Sequence, residues 1–311
     1  MIFIKSGLLN TLLLLGAVSC LSSASFLDVS TIYTKEFTYV IPQAQMKLWL
    51  DGGGYKETVS YSVDEKRLIE TLAKELIDRV NGAKQERLAI ITAGAPGAGK
   101  STLTEQILDK SMVVIDPSHQ LKMIYYKLIT SGKLNPEVLL EQHGKEAQLI
   151  KWRPASNYVA HLGLAHAIKN GKAFYFGSCS AGAETPKFYE FLKREGYTVE
   201  VVHVSSPKSV RLASITERNK LFYQSLPWDV AKKAAEVVNR IADTFLSKAD
   251  KVSFYWRGGI TSNAGLASEW SKKEGTMKIA ESDAYSQIKK QHGKSWPEGI
   301  LEQRIGSEKI K

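Results

Sequence analysis

Gly94-Ala95-Pro96-Gly97-Ala98-Gly99-Lys100-Ser101 fits the pattern G-x-x-x-x-G-K-[ST], and its neighbours supply the setting that pattern needs. Before it, Leu88-Ala89-Ile90-Ile91-Thr92-Ala93 reads as a short buried strand; after it, Thr102 to Leu108 reads as the start of a helix. Glycines let the backbone turn with positive φ and approach an anion with no Cβ in the way, so that consecutive N–H groups converge on a phosphate. The following helix adds its unpaired N-terminal N–H groups and the positive end of its dipole. Gly94, Ala95, Pro96, Gly97, Ala98, Gly99, Lys100, Ser101 and Thr102 are therefore the expected binding set for a nucleoside triphosphate. In that pattern Lys100 reaches the β- and γ-phosphates and the Ser101 hydroxyl ligates Mg²⁺.

Outward from the loop, strands alternate with helices. Met112 to Asp116 is a second buried strand ending in a carboxylate, and a mostly helical stretch follows to Gly171. Ala173 to Gly177 is a third strand leading into Ser178-Cys179-Ser180-Ala181-Gly182; Thr198 to Val204 is a fourth and Lys251 to Trp256 a fifth. Phe188 to Glu195, Val210 to Phe222 and Val230 to Leu246 read as helices. The expected fold is α/β of the P-loop NTPase type, nucleoside- or shikimate-kinase-like, with a parallel sheet sandwiched by helices. Ligands then gather at the carboxyl ends of the strands, where Gly94, Asp116 and Ser178 fall.

The 311 residues divide into four stretches. Residues 1–24 carry Lys5, an apolar run from Leu8 to Leu21 and the small-residue site Ser22-Ser23-Ala24, the three parts of a secretory signal. The run is short for a membrane span, which needs about 20 residues; the alternatives to cleavage are an uncleaved anchor and lipidation at Cys20. Export is the expectation, with membrane contact only through this segment. Residues 25–84 form an extension with a flexible turn at Asp51-Gly52-Gly53-Gly54, then a docking helix whose Leu68, Leu72, Leu76 and Val80 recur at helical spacing. Residues 85–260 are the catalytic domain, and 261–311 read as a partly ordered tail, because Glu281, Asp283 and Lys289 give no apolar face.

The net charge of +10 favours acidic partners such as nucleotides. No stripe of basic residues interleaved with aromatics marks a nucleic-acid groove. Cys20 and Cys179 are the only cysteines, so removal of the signal leaves a single thiol. The six histidines lack the close pairing of a zinc site.

The order of pieces resembles the zeta toxin family of P-loop kinases, which transfer the ATP γ-phosphate to a sugar hydroxyl of UDP-N-acetylglucosamine. The resemblance runs from about Leu88 to Gly258 through five segments: the loop itself, Val113-Val114-Ile115-Asp116, Pro154-Ala155-Ser156-Asn157 as a helix entry, Gly196-Tyr197, and Ile215-Thr216-Glu217-Arg218. It implies ATP and Mg²⁺ as ligands. Four departures set the chain apart from the family, three of them on the acceptor side. Where the family strand closes as Asp-x-Asp, with the second carboxylate as base, this chain has Asp116-Pro117-Ser118. Gly177 replaces the Glu that ends the next strand, and the loop that follows lacks its Arg. The second lid Arg has no counterpart in Leu221 to Trp228.

Phosphoryl transfer is chiefly positioning and charge neutralisation. Lys100, Asp116 and Arg218 are the expected catalytic residues, and Ser101 and Asp116 the expected Mg²⁺ ligands. Asp116 either takes the hydroxyl proton or holds a metal-bound water, unless it only caps the next helix. Arg218 with Lys220 forms a cationic lid, and His119 is an alternative base. The expected activity is ATP-dependent phosphorylation of a small-molecule hydroxyl by an exported toxin or effector. The competing expectations are a nucleotide-binding protein that works through a protein partner, and a polynucleotide kinase.

Overall fold

In the computed structural model, residues 43–180, 182, 184–220, 226–239 and 242–305 are described. The signal segment, the extension up to residue 42, Ala181 and the lid residues 221–225 lie outside them.

Branched and aromatic runs without intervening charge build the centre of the sheet. β1 (Leu88–Ala93), β2 (Val113–Ile115), β3 (Phe174–Phe176), β4 (Thr198–Ser205) and β5 (Lys251–Trp256) are parallel, in the order β2-β3-β1-β4-β5. Buried on both faces, such strands read as continuous apolar segments. β1 lies between β3 and β4, with Ile91 opposite Phe176 and Ala93 opposite His203. Its carboxyl end is therefore flanked by the ends of two other strands, the crevice in which an open α/β sheet binds ligands.

Among the described residues two helices precede the sheet, α1 (Gln43–Leu50) and α2 (Val63–Asn81). Ser62 caps α2 with a reciprocal Ser–Glu65 capping box, and Ile69, Leu72, Ala73, Leu76, Ile77 and Val80 form its buried stripe. Each large aliphatic side chain so buried contributes about 2 kcal/mol. After β1 come α3 (Lys100–Ile107), α4 (Pro117–Thr130), which follows β2, and the long α5 (Gln142–Lys169). A Cβ on Gly163 would stand 2.4 Å from Leu76 Cδ2, so glycine there lets α2 sit close on α5.

Then follow α6 (Thr185–Arg194), α7 (Lys208–Asn219), α8 (Trp228–Val238) and α9 (Ala242–Lys248). Pro154, expected at a helix entry, is instead inside α5, which starts twelve residues earlier.

Residues 261–305 correct the tail expected there. β6 (Gly265–Ser271) pairs antiparallel with β5, β7 (Thr276–Ile279) antiparallel with β6, and β8 (Leu301–Arg304) parallel with β7, giving eight strands in one sheet. Between β7 and β8, α10 (Ser282–His292) buries Ala284, Tyr285, Ile288 and His292. Its apolar face escaped notice because Tyr and His make half of it. Glu281 is off that face as the N-cap, accepting from Asp283 N and Ala284 N.

Candidate active site

The loop from Gly94 to Gly99 joins β1 to α3 and depends on its glycines. Gly94, Gly97 and Gly99 have φ of +131°, +81° and +104°. A Cβ on Gly94 would lie 2.3 Å from the Val204 carbonyl oxygen of β4, and one on Gly97 2.6 Å from the Arg211 carbonyl oxygen of α7. Left-handed φ and backbone on the outer side both require glycine. The loop is thus clamped from outside, and its inner side carries the N–H groups of Lys100, Ser101 and Thr102, which as the first of α3 have no intrahelical acceptor. Lys100 Nζ donates to the Gly94 and Ala95 carbonyl oxygens at 2.7 and 3.2 Å, folded back over the loop. Ser101 and Thr102 are exposed at the same helix end.

Asp116 leaves β2 and caps α4, its Oδ1 accepting from Ser118 N at 2.6 Å. Its Oδ2 lies beside Gly177, where a Cβ would stand 2.4 Å from that oxygen and from Cγ. The departure at Gly177 thus has a local reason: the space a longer residue at 177 would occupy is filled by the Asp116 carboxylate. Capping occupies one oxygen of Asp116 and leaves the other facing the end of β3.

The loop after β3 is fastened to the phosphate loop. Thr92 Oγ1 donates to Ser178 O and accepts from Ser178 N, both at 3.0 Å; Ser180 Oγ donates to Thr92 O at 3.0 Å; Gly94 N donates to Cys179 O at 3.3 Å. Ser180 is buried with φ of +51°, uncommon for a residue bearing a Cβ, and these bonds hold it there. Cys179 is a free thiol in this loop.

Arg218 is half-buried in the last turn of α7. Three and seven residues earlier on the same helix, Ile215 and Arg211 touch Gly97, so Arg218 shares the face turned to the loop. Lys220 is drawn to the surface, paired with Glu217 at 2.7 Å. His119 is held neutral at physiological pH: burial, then the neighbouring Arg79, lower its pKa, while Asp116 opposes them. His161, between Trp49 of α1 and Phe176 of β3, is pushed by burial to about 4.

Two cations were missed. Arg257, directly after β5, covers the loop: its Nη1 donates to Ser214 Oγ at 3.1 Å and Gly97 O at 3.5 Å, its Nε to Ser262 O at 3.2 Å, and its Nη2 to Ile260 O. A Cβ on Gly99 would meet Arg257 Cδ at 2.9 Å. A cation at the carboxyl end of a parallel strand was the available signal. The second, Arg153 of α5, donates from Nη1 to Ser118 Oγ at 3.5 Å.

Among the described residues no group of three or more His, Cys, Asp or Glu is arranged to hold a metal ion. A Mg²⁺ ion shared with nucleotide phosphates needs only one or two protein oxygens, and the Ser101 hydroxyl and Asp116 carboxylate are of the right chemistry. No helix among them is long and apolar enough to cross a membrane.

Comparison with known proteins bears on the fold. The chain is similar to solved structures of the AvrRxo1-ORF1:ORF2 complex: a native form at 10% identity and TM-score 0.53, covering 79% of this chain and 76% of that one, and a form with ATP at 11% identity and TM-score 0.52, covering 87% and 79%. A structure from the PezAT chromosomal toxin-antitoxin system of Streptococcus pneumoniae is 16% identical, with TM-score 0.49 over 76% of this chain and 96% of that one. No curated protein matches the chain. The zeta toxin family model matches residues 74–263, more than half of the chain and the whole core from β1 to β5, and the chain belongs to that family.

Proposed function

We propose that the protein is an ATP- and Mg²⁺-dependent phosphotransferase that phosphorylates a hydroxyl of a small molecule. The single observation that carries this reading is the phosphate loop, whose three left-handed glycines are packed by backbone and side chains on the outside and leave the N–H groups of α3 facing inward. Family membership and the likeness to a structure holding ATP support the donor.

In the reaction the acceptor oxygen bonds to the γ-phosphorus, the bond from that phosphorus to the β–γ bridging oxygen breaks, and ADP leaves. Lys100, released from the Gly94 and Ala95 carbonyls, neutralises the β- and γ-oxygens. Arg218 and Arg257 reach the phosphates from α7 and from the end of β5. The acceptor proton passes to Asp116, through the oxygen not used in capping, with the neutral His119 as the nearest alternative. Ser101 would hold Mg²⁺, with Asp116 reaching it through a metal-bound water, and the ion would offset the charge on the leaving group.

The loss of carboxylates at 118 and 177 favours an acceptor other than the usual family substrate. It also supports a second reading, a nucleotide-binding protein that acts through a protein partner, since Asp116 is engaged as a helix cap. Export remains part of the proposal and rests on residues 1–24; ATP then implies delivery into another cell's cytosol. Recovery of the protein inside the producing cell with residues 1–24 intact contradicts that part.

The test is incubation of residues 25–311 with labelled ATP and Mg²⁺ against sugar nucleotides, nucleosides and oligonucleotides, beside Lys100→Ala and Asp116→Asn. Transfer to a small molecule that both variants lose supports the kinase. Nucleotide binding without transfer to any acceptor supports the partner-binding reading, and transfer to oligonucleotides alone makes it a polynucleotide kinase.

A further inference from the structure

Helix α5 runs unbroken past a proline in its middle, and the turn that holds the proline sits beside the acceptor side of the site. Pro154 has no N–H, so the carbonyl of Ile150 loses its intrahelical donor, and the ring crowds that carbonyl. The next rung is open as well. Tyr61 Oη donates to the Lys151 carbonyl at 2.7 Å and accepts from Ala155 N at 3.3 Å, so a hydroxyl from the extension occupies the place of a helix hydrogen bond. Its ring stacks on Trp152, with centroids 5.4 Å apart and planes 18° from parallel.

The segment carrying Tyr61 is tied down on both sides. Gly52 closes it by accepting from Val59 N at 3.1 Å; Lys56 pairs with Glu146 of α5; Glu65 pairs with Lys151 at 2.5 Å. Residues 52–65 form a strap across α5 at the turn that the proline opens.

Arg153 stands within that turn. Its Nη1 donates to Ser118 Oγ at 3.5 Å at the start of α4, and its charge is favoured by Asp116 first, then by Tyr55 of the strap, Cys179 of the loop after β3 and Tyr125 of α4. Burial strips the guanidinium of part of its water, and Asp116 returns only part of the lost stabilisation. Of its five N–H donors, the hydrogen bond at 3.5 Å to Ser118 is the one it makes among the described residues. A half-buried, planar fork of donors with one protein acceptor among the described residues suits an oxyanion bound in two-point fashion.

We propose that Arg153 is the anion-binding residue of the acceptor subsite, taking a phosphate or similar oxyanion of the acceptor from α5 rather than from the loop after β3, and that Tyr61 is the positioning residue that keeps it there. The word acceptor rests on the kinase reading above; the anion site rests on the position of the Arg153 guanidinium beside Ser118. The extension thereby becomes part of the site, and the basic side chain absent from the loop at Ser178 to Gly182 has a replacement of different origin.

The experiment measures binding of inorganic pyrophosphate by calorimetry to protein saturated with Mg²⁺ and a non-hydrolysable ATP analogue, so that the phosphate loop is filled. Arg153→Ala is expected to weaken pyrophosphate at least tenfold. Arg153→Lys, which keeps the charge and loses the fork, is expected to restore it in part. Tyr61→Phe, which keeps the stack on Trp152, is expected to weaken it several-fold. Affinity for the analogue stays within twofold in all three, which also shows that each variant folds. Pyrophosphate affinity unchanged in Arg153→Ala, or no second-site binding by the wild type, overturns the proposal. Failure of the wild type to bind the analogue counts against the kinase reading instead, and the Arg153 comparison is then made on a Lys100→Ala background.

Discussion

Acidification is expected to unfold this protein through one pair of rings. His203 on β4 and His292 on α10 face each other with centroids 4.9 Å apart, enclosed by Phe245, Phe254 and Trp296. They are 1% and 4% exposed, and the Nε2 atom of each is buried without a hydrogen-bond partner among the described residues. His292 Nδ1 donates to the Asn239 carbonyl at 3.2 Å, which fixes the neutral tautomer. Burial lowers the His292 pKa from 6.5 to about 4, and it lowers that of His203 well below its ordinary value, with His292 and Lys100 adding to the effect. The unfolded chain takes up these protons near pH 6.5 and the folded one does not, so stability is full above that pH and falls as pH drops toward 4. At about 1.4 kcal/mol per pH unit, His292 alone removes about 3 kcal/mol across that window. A domain stable by about 5–15 kcal/mol is then brought close to unfolding, and His203 acts in the same direction. Urea titrations followed by tryptophan fluorescence at pH 7.5, 6, 5 and 4 measure the slope, with His292→Leu as the comparison. The wild type should lose about 3 kcal/mol more than the variant over that range. Parallel curves for the two proteins would refute the reasoning.

Three further outcomes follow from the site. Gly94→Ala places a Cβ 2.3 Å from Val204 O at a φ of +131°, so a loss of about 2 kcal/mol or more in urea melts and loss of nucleotide binding are expected; wild-type stability would contradict the clamp. Gly177→Ala pushes on the Asp116 carboxylate from 2.4 Å, and should lower kcat roughly tenfold or more with the KM for ATP unchanged; a matching rise in the KM for ATP would show that the carboxylate serves the donor. Arg257→Ala removes a cation from above Gly97 and Gly99 and should weaken ATP about tenfold, as expected for a charge-assisted contact; unaltered ATP affinity would mean that Arg257 only ties the loop to Ser214 and Ser262.

The parallel core was legible because its strands are apolar on both faces and are punctuated by Gly94, Gly177, Gly196 and the carboxylate of Asp116. The phosphate loop was legible for a stronger reason, since its spacing follows from how a backbone wraps an oxyanion. Strands β6 to β8 were not, because Gly265–Ser271 interleaves Ser268, Glu269 and Ser271 with Leu266, Ala267 and Trp270 without strict alternation, Leu301–Arg304 is exposed throughout, and strand order depends on pairing between distant segments. Pro154 misled for a specific reason: proline favours the first turn of a helix, and the adjoining turn is contacted by the hydroxyl of Tyr61, 93 residues earlier, which no local pattern reveals. Arg153 and Arg257 belong to no local motif; the folding of α5 and the end of β5 brings them to the site. His203 and His292 are distant in sequence and form a pair only through α10, which was read as tail.

Phosphoryl transfer is tested most directly without assuming an acceptor. A small-molecule extract incubated with Mg²⁺, ATP and the protein is compared by mass spectrometry with the same extract treated with Lys100→Ala, whose ammonium is held only by carbonyls of its own loop and whose loss leaves the core intact. The expected result is at least one compound heavier by a phosphoryl group, formed as ADP appears and absent with the variant. ADP formation without any phosphorylated product, or products that form equally with Lys100→Ala, would contradict it.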